Sequence, residues 1–221
     1  AKGPEETAEA ISKAGGMGVI VQGDLTEEKD LKALIPSASE KLGGPLRLLV
    51  NSASVFEDDT ALDHDRQSWD LHFDANLRAP IALAQAFAKA LPDSQKGLIV
   101  NVLDQRVWKL NPQFFTYTLS KAALFTATQT LAQSFAPNIR VNGIGPGAFP
   151  SAMNRAARDN EELVKRGIPS KRVGVTEDMA AGAIYLLSRA GDYVVGTTIP
   201  IDGGVVNANI GAGNFVDPSG D

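Results

Sequence analysis

The feature that most constrains this chain is a repeated switch of hydrophobic period. Short apolar runs alternate with longer amphipathic stretches. The runs are "GVIVQGD" (18–24), "LRLLVNSAS" (46–54), "GLIVNVLD" (97–104), "NIRVNGIGPGAF" (138–149) and "GTTIPIDGG" (196–204). Each is too short for a core helix and carries no polar alternation, which is the pattern of a strand buried on both faces. The stretches between them read as helices over 4–14, 26–42, 67–91, 112–136, 154–166 and 177–189. The first has Pro4 in its opening turn, and the second opens on Thr26 as a cap with acids behind it. Pro36 kinks the second or falls in a tighter turn, and Pro80 lies inside the third. Strands separated by helices argue an α/β fold: a doubly wound parallel sheet with helices on both faces. Residues 1–205 read as one domain, and the Gly/Asn-rich 206–221 as a loose tail.

Composition narrows the function. With 221 residues, 43% of them hydrophobic, the chain can build one sizeable core. A net charge of −5 with no basic stripe argues against a nucleic-acid partner. No apolar run approaches the roughly 18 residues of a membrane span. The absence of cysteine excludes disulfides and thiolate chemistry. His64 and His72 lie in a polar segment and read as surface residues, so no metal site is expected. No signal peptide is visible at the start, and the cytoplasm is the expected compartment.

In a parallel sheet, ligands bind outside the carboxyl ends of the strands. There this sequence sets Asn51-Ser52-Ala53-Ser54, then Asp104, then Gly145-Pro146-Gly147. The helix after "GLIVNVLD" contains "TYTLSKAAL", in which Tyr117 and Lys121 stand four residues apart on one face. Most Tyr-x-x-x-Lys pairs are a core tyrosine with a lysine reaching past it, so the pair carries weight only in company. An ammonium beside a phenol favours phenolate and lowers a pKa of about 10 toward working pH.

The company is present. "GDL", "NSAS", "DANLRAP", "YTLSK" after "IVNV", "RVNGIGPG" and "IDGG" follow in that order, and with them the chain resembles the short-chain dehydrogenase/reductase family. The resemblance implies a Rossmann-type fold, NAD(P)(H) and hydride transfer. It implies Tyr117 as proton donor, Lys121 as its partner on the nicotinamide ribose, and Asn76 as anchor of a water in a proton relay. It implies Asn51, Ser52 and Ala53 lining the cofactor, Asp24 and Leu25 beside the adenine, and Pro146 and Gly147 under the nicotinamide. Lys2 stands where a basic residue meets a 2′-phosphate, which favours NADPH.

Two departures shape the expectation. Most of the family has a serine thirteen residues before the tyrosine; this chain has Asp104. An ionised carboxylate accepts but cannot donate, so it suits a substrate presenting N–H groups. The exchange resembles the pteridine reductase branch, and Phe56 stands where that branch stacks an aromatic on its pterin. "GPGAFPSAM" instead resembles the lid of ketone and ketoacyl reductases, with Phe149 as a substrate contact. The expected function is therefore NADPH-dependent reduction of a dihydropteridine- or dihydrofolate-like small molecule. The alternatives are a ketone or 3-ketoacyl reductase, or a non-catalytic structural relative.

The second departure is at the start. The family's opening strand and glycine-rich turn are not seen, so the sheet is expected to lack its first two strands and to leave a gap beside "GVIVQGD". The last strand is an apolar edge, and a homo-oligomer, tetramer or dimer, is expected through it.

Overall fold

"GLIVNV" is buried along almost its whole length, and the sheet is built outward from it. The computed structural model describes residues 3–151 and 154–208. Four strands, β1 (Leu48–Asn51), β2 (Gly97–Val102), β3 (Ile139–Pro146) and β4 (Thr198–Ile201), form one parallel sheet in the order β1-β2-β3-β4. The register aligns Asn51 with Asn101, Asn101 with Gly143, and Gly143 with Thr198. Parallel neighbours need long crossovers, and the helices supply them. In chain order they are α1 (Pro4–Lys13), α2 (Glu28–Leu42), α3 (Arg66–Phe73), α4 (Ala79–Ala90), α5 (Phe115–Phe135), α6 (Arg155–Asp159), α7 (Glu161–Arg166) and α8 (Thr176–Leu187).

Alternate residues of each strand feed opposite cores, as the pleat requires. Ile99 and Val141 pack with Leu31 and Ile35 of α2, Leu83 and Phe87 of α4, and Ala132 of α5. Leu98, Val100 and Ile144 pack with Met179, Ala183 and Leu186 of α8. Each fully buried aliphatic or aromatic side chain here is worth roughly 1.5–3 kcal/mol. Leu48 and Val50 lie in register with Leu98 and Val100 but stay more than a third exposed. No described helix is long and apolar enough to cross a membrane.

Several expectations change. "GVIVQGD" is not a strand: residues 18–24 carry no sheet pairing. A strand exists only where a neighbour takes its backbone groups, and among the described residues the sheet ends at β1 with no strand paired to its outer edge, as expected of a sheet lacking its first two strands. Thr26 does not cap α2; its amide and hydroxyl both go to the Asp24 carboxylate. The single helix expected over 67–91 is α3, a π-helical turn (Asp74–Arg78) and α4. Pro80 falls at the start of α4, where its missing N–H costs little. The helix expected over 154–166 is split into α6 and α7. Residues 206–208 belong to a turn in which Asp202 accepts from the Val206 amide; 209–221 lie outside the described residues.

β3 and β4 converge at their carboxyl ends, where the Gly147 amide donates to Ile201 at 2.9 Å. A Cβ at Gly147 would stand 2.6 Å from the Asp202 Cα, and backbone cannot swing aside as a side chain can. Gly147→Ala is expected to destabilise the fold by about 1–3 kcal/mol, the range for overpacking. Urea unfolding checks it; an unchanged midpoint would show that the strand ends part freely.

Candidate active site

Two residues past the end of β2, Asp104 caps a 3-10 turn (Gln105–Val107) through the Arg106 amide, 2.8 Å from its Oδ1. Its other oxygen accepts the Tyr117 hydroxyl at 2.9 Å. One turn along α5, the Lys121 ammonium donates to the Val102 carbonyl at 2.9 Å. The helical spacing therefore turns both polar heads toward the end of β2. Both residues are buried, Tyr117 at 3% and Lys121 at 2% exposure.

That burial decides the electrostatics. It pushes the Lys121 ammonium down to about 8, and the Asp104 charge opposes the fall only in part. It pushes the Tyr117 phenol up, and the Asp104 charge and hydrogen bond push it further. The lowering of Tyr117 expected from Lys121 is thus overturned. The phenol is a donor to a carboxylate, which favours its protonated form, and the ammonium sits 5.8 Å from the ring centroid. Arg106 works the other way on the phenol, its Nη1 lying 3.6 Å from Asp104 Oδ2.

Arg106 and Phe114 escaped the sequence reading. Phe114 holds a left-handed backbone, φ 55°, a conformation costing of the order of 1–3 kcal/mol for a bulky residue. Its ring stacks on Phe56 at 4.1 Å and 9°, and Phe56 meets the Tyr117 ring edge-on at 4.7 Å. The Arg106 guanidinium lies 5.4 and 5.0 Å from the Phe56 and Phe114 centroids. A flat aromatic pair, a cation and a carboxylate thus surround the phenol. An arginine two residues beyond the acid was the readable signal.

Asn76 lies in the π-helical turn, fully buried. Its Oδ1 accepts the Val55 amide at 2.8 Å and the Ser54 hydroxyl at 3.1 Å. Its Nδ2 donates to Val55 O at 2.9 Å and Ser120 Oγ at 3.2 Å. The carboxamide is fully used, and through it Asn76 staples the 54–55 loop to α5. His72 is likewise not on the surface: it is 0% exposed and hydrogen-bonded.

The residues expected to line a cofactor are spread along the rim. Asn51 spends its Nδ2 on Asn101 across the strands, 2.8 Å away, while Ser52 and Ala53 are exposed. Asp24 borders an open concavity of about 640 Å³ with Gln22, Gly23, Leu25 and Asp30. Thr26 holds its carboxyl below the usual range. The Leu25 side chain packs on the α2–α4 core, leaving its main chain to the rim. Pro146 and Gly147 end β3. Lys2 lies outside the described residues. Phe149 lines a different concavity, of about 430 Å³, with Ile168, Arg172, Gly174 and Asp178; neither Asp104 nor Tyr117 borders it. The donor set fits a nicotinamide cofactor at one point above all. Lys121 is a buried ammonium with three N–H groups and, among the described residues, one hydrogen-bond acceptor. Vicinal ribose hydroxyls are the kind of acceptor it lacks.

Residues 1–206 match the family model described as enoyl-(acyl carrier protein) reductase. A 3beta-hydroxysteroid dehydrogenase of Eggerthella lenta is 35% identical over 212 residues, 92% of this chain and 80% of that one. A structure of FolM alternative dihydrofolate reductase 1 from Brucella canis, complexed with NADP, is 41% identical with a TM-score of 0.84, covering 96% of this chain and 82% of that one. The Brucella suis FolM structure, also with NADP, is 44% identical with a TM-score of 0.83, covering 91% and 79%. The chain belongs to the short-chain dehydrogenase/reductase family and is an oxidoreductase.

If the Lys121 ammonium is the working state, kcat/KM should fall as pH rises through about 8. A pH profile on the purified enzyme checks this. An alkaline limb only near 10.4, the ordinary lysine value, would show that the ammonium is not desolvated.

Proposed function

We propose that this chain is an NADPH-dependent reductase of a pterin-like substrate of dihydropteridine or dihydrofolate type. The observation that carries the reading is the Asp104 carboxylate hydrogen-bonded to Tyr117 beside the Phe56–Phe114 stack. The two FolM structures at 41% and 44% identity, both with NADP, support it. When bound, the cofactor supplies the hydride. Lys121 would hold its ribose, with Asn51, Ser52, Ala53, Pro146 and Gly147 along the rim and Asp24 and Leu25 at the far end.

The rest falls to the chain's own side chains. Asp104 is acceptor-only and reads substrate N–H groups. The Tyr117 phenol, kept protonated by burial and by Asp104, is the proton donor. Lys121 stabilises the phenolate that proton transfer leaves. Arg106 balances the Asp104 charge, and Phe56 offers a flat face to a planar heterocycle.

The second reading is a ketone or 3-ketoacyl reductase, which the steroid dehydrogenase relative favours. Against it stands the carboxylate, which would repel a developing alkoxide. A purely structural subunit has no use for a buried ammonium with spare donors. We also propose self-association through β4 and α8, whose surroundings expose Ile184, Tyr185, Leu187, Tyr193 and Val195.

Wild-type enzyme should reduce a dihydropterin with NADPH, and Asp104→Ser should shift kcat/KM toward a 3-ketoacyl ester. A wild type that reduces only the ester overturns the pterin reading. Tyr117→Phe should lower kcat by about 10²–10⁴-fold, the worth of a general acid; unchanged turnover removes Tyr117 from that role. Light scattering should give a dimer or tetramer, and a monomer at micromolar concentration refutes the interface.

A further inference from the structure

His72 is a buried titratable side chain that none of these steps uses. Its Nε2 accepts the Glu57 amide at 3.0 Å. A ring nitrogen that accepts carries no proton, so the neutral ring carries it on Nδ1. Nδ1 stands 2.8 Å from Thr116 Oγ1, and the Thr116 hydroxyl in turn donates to Asp59 Oδ2. Asp59 is itself 7% exposed. It accepts the Thr116 amide at 3.0 Å and the Ser68 hydroxyl at 3.2 Å, and its main-chain carbonyl takes the Phe115 amide at 3.1 Å. Every proton in the chain His72–Thr116–Asp59 therefore has a direction.

The network ties three segments together: α3, the loop over 55–60, and the first turn of α5. Its anchor points adjoin the site on both sides. Glu57 follows Phe56, and Thr116 precedes Tyr117. We infer that His72 is a positioning residue: as its neutral Nδ1–H tautomer it locks the 55–60 loop onto the start of α5, and so holds the Phe56 ring against Tyr117 for substrate stacking. The inference rests on the proposed role of Phe56 as a substrate-stacking ring.

The charges facing the ring are Asp59 and Glu57, which favour its protonated form; burial disfavours it and prevails, lowering the pKa. The Tyr117 ring, edge-on at 6.1 Å, is neutral. A second proton would place an Nε2–H against the Glu57 N–H, two donors face to face, and the loop would have to let go. Substrate binding should therefore weaken on the acid side of about 6.5, the ordinary histidine value.

The test has three arms. Proton–nitrogen NMR of the wild type should show His72 protonated on Nδ1 alone between about pH 6.5 and 8; an Nε2–H tautomer or a charged ring in that range overturns the inference. His72→Leu, which loses the loop anchor, should raise KM for whichever substrate the wild type reduces by about tenfold, with kcat within about threefold. His72→Gln, whose amide oxygen can take the Glu57 N–H, should keep KM near the wild-type value and lose its acid-side rise. Unchanged KM in the Leu variant, or an acid-side rise that survives in Gln, refutes the role. Should the Leu variant fail to fold, hydrogen exchange of the Glu57 amide in the wild type decides instead. Its protection should be lost as the ring protonates, and protection independent of that titration refutes the lock. The NMR and exchange arms need no substrate. Absence of pterin turnover would sink the proposed function alone, and the wrong tautomer in an enzyme that reduces pterins would sink this inference alone.

Discussion

Two acceptors at the end of β2 take the two polar heads of α5, and the site depends on that match. The Val102 carbonyl receives Lys121 and the Asp104 carboxylate receives Tyr117. Burying an ammonium and a phenol without partners would cost several kcal/mol. The partners exist because a parallel strand ends where the crossover helix begins its return, so carbonyl ends and helix face meet at one rim. The same burial that the pairs compensate shifts both groups away from their solution behaviour. Lys121 becomes easier to deprotonate and Tyr117 harder, and Asp104 couples the two.

Around that match the loop over 54–60 is held by side chains more than by backbone ladders. Asn76 reaches it from the π-helical turn at Val55 and Ser54, and His72 reaches it from α3 at Glu57. Asp59 returns the hold from the loop to Thr116 and Ser68. The wide turn at Asp74–Arg78 sits between α3 and α4, and the buried Asn76 carboxamide projects from it to satisfy two donors and two acceptors. The left-handed Phe114 lies at the junction of loop and helix, where its stack on Phe56 and the guanidinium beside both rings offset its strain.

Much of the architecture was legible because buried parallel strands must be short and apolar and their crossovers amphipathic. β1 to β4 fall inside the runs quoted from the sequence, and α5 inside its predicted span. "GVIVQGD" fails for the converse reason: an apolar run is a strand only beside a partner, and pairing is not a property of the run. His72 was misread because it sits among polar residues in sequence but turns inward with Thr116, Asp59 and Glu57 around it. The stapling role of Asn76 was not legible, because its four hydrogen bonds appear only once Val55, Ser54 and Ser120 converge from other segments. Phe149 lies within the lid segment that suggested its role, and it lines a concavity with Gly174 and Ile168.

The sequence by itself determined the class of fold, the shared face of Tyr117 and Lys121, and the acid at position 104, because these follow from periods of two and 3.6 residues and from residue chemistry. Tertiary structure alone decided what each group is protonated beside. It set Asp104 against Tyr117 and Arg106, gave Lys121 a carbonyl, and gave His72 an amide on one nitrogen and a hydroxyl on the other. The reason is that burial and the nearest partner, not spacing along the chain, fix the free energy of a charge or a proton, and both are properties of residues far apart in sequence.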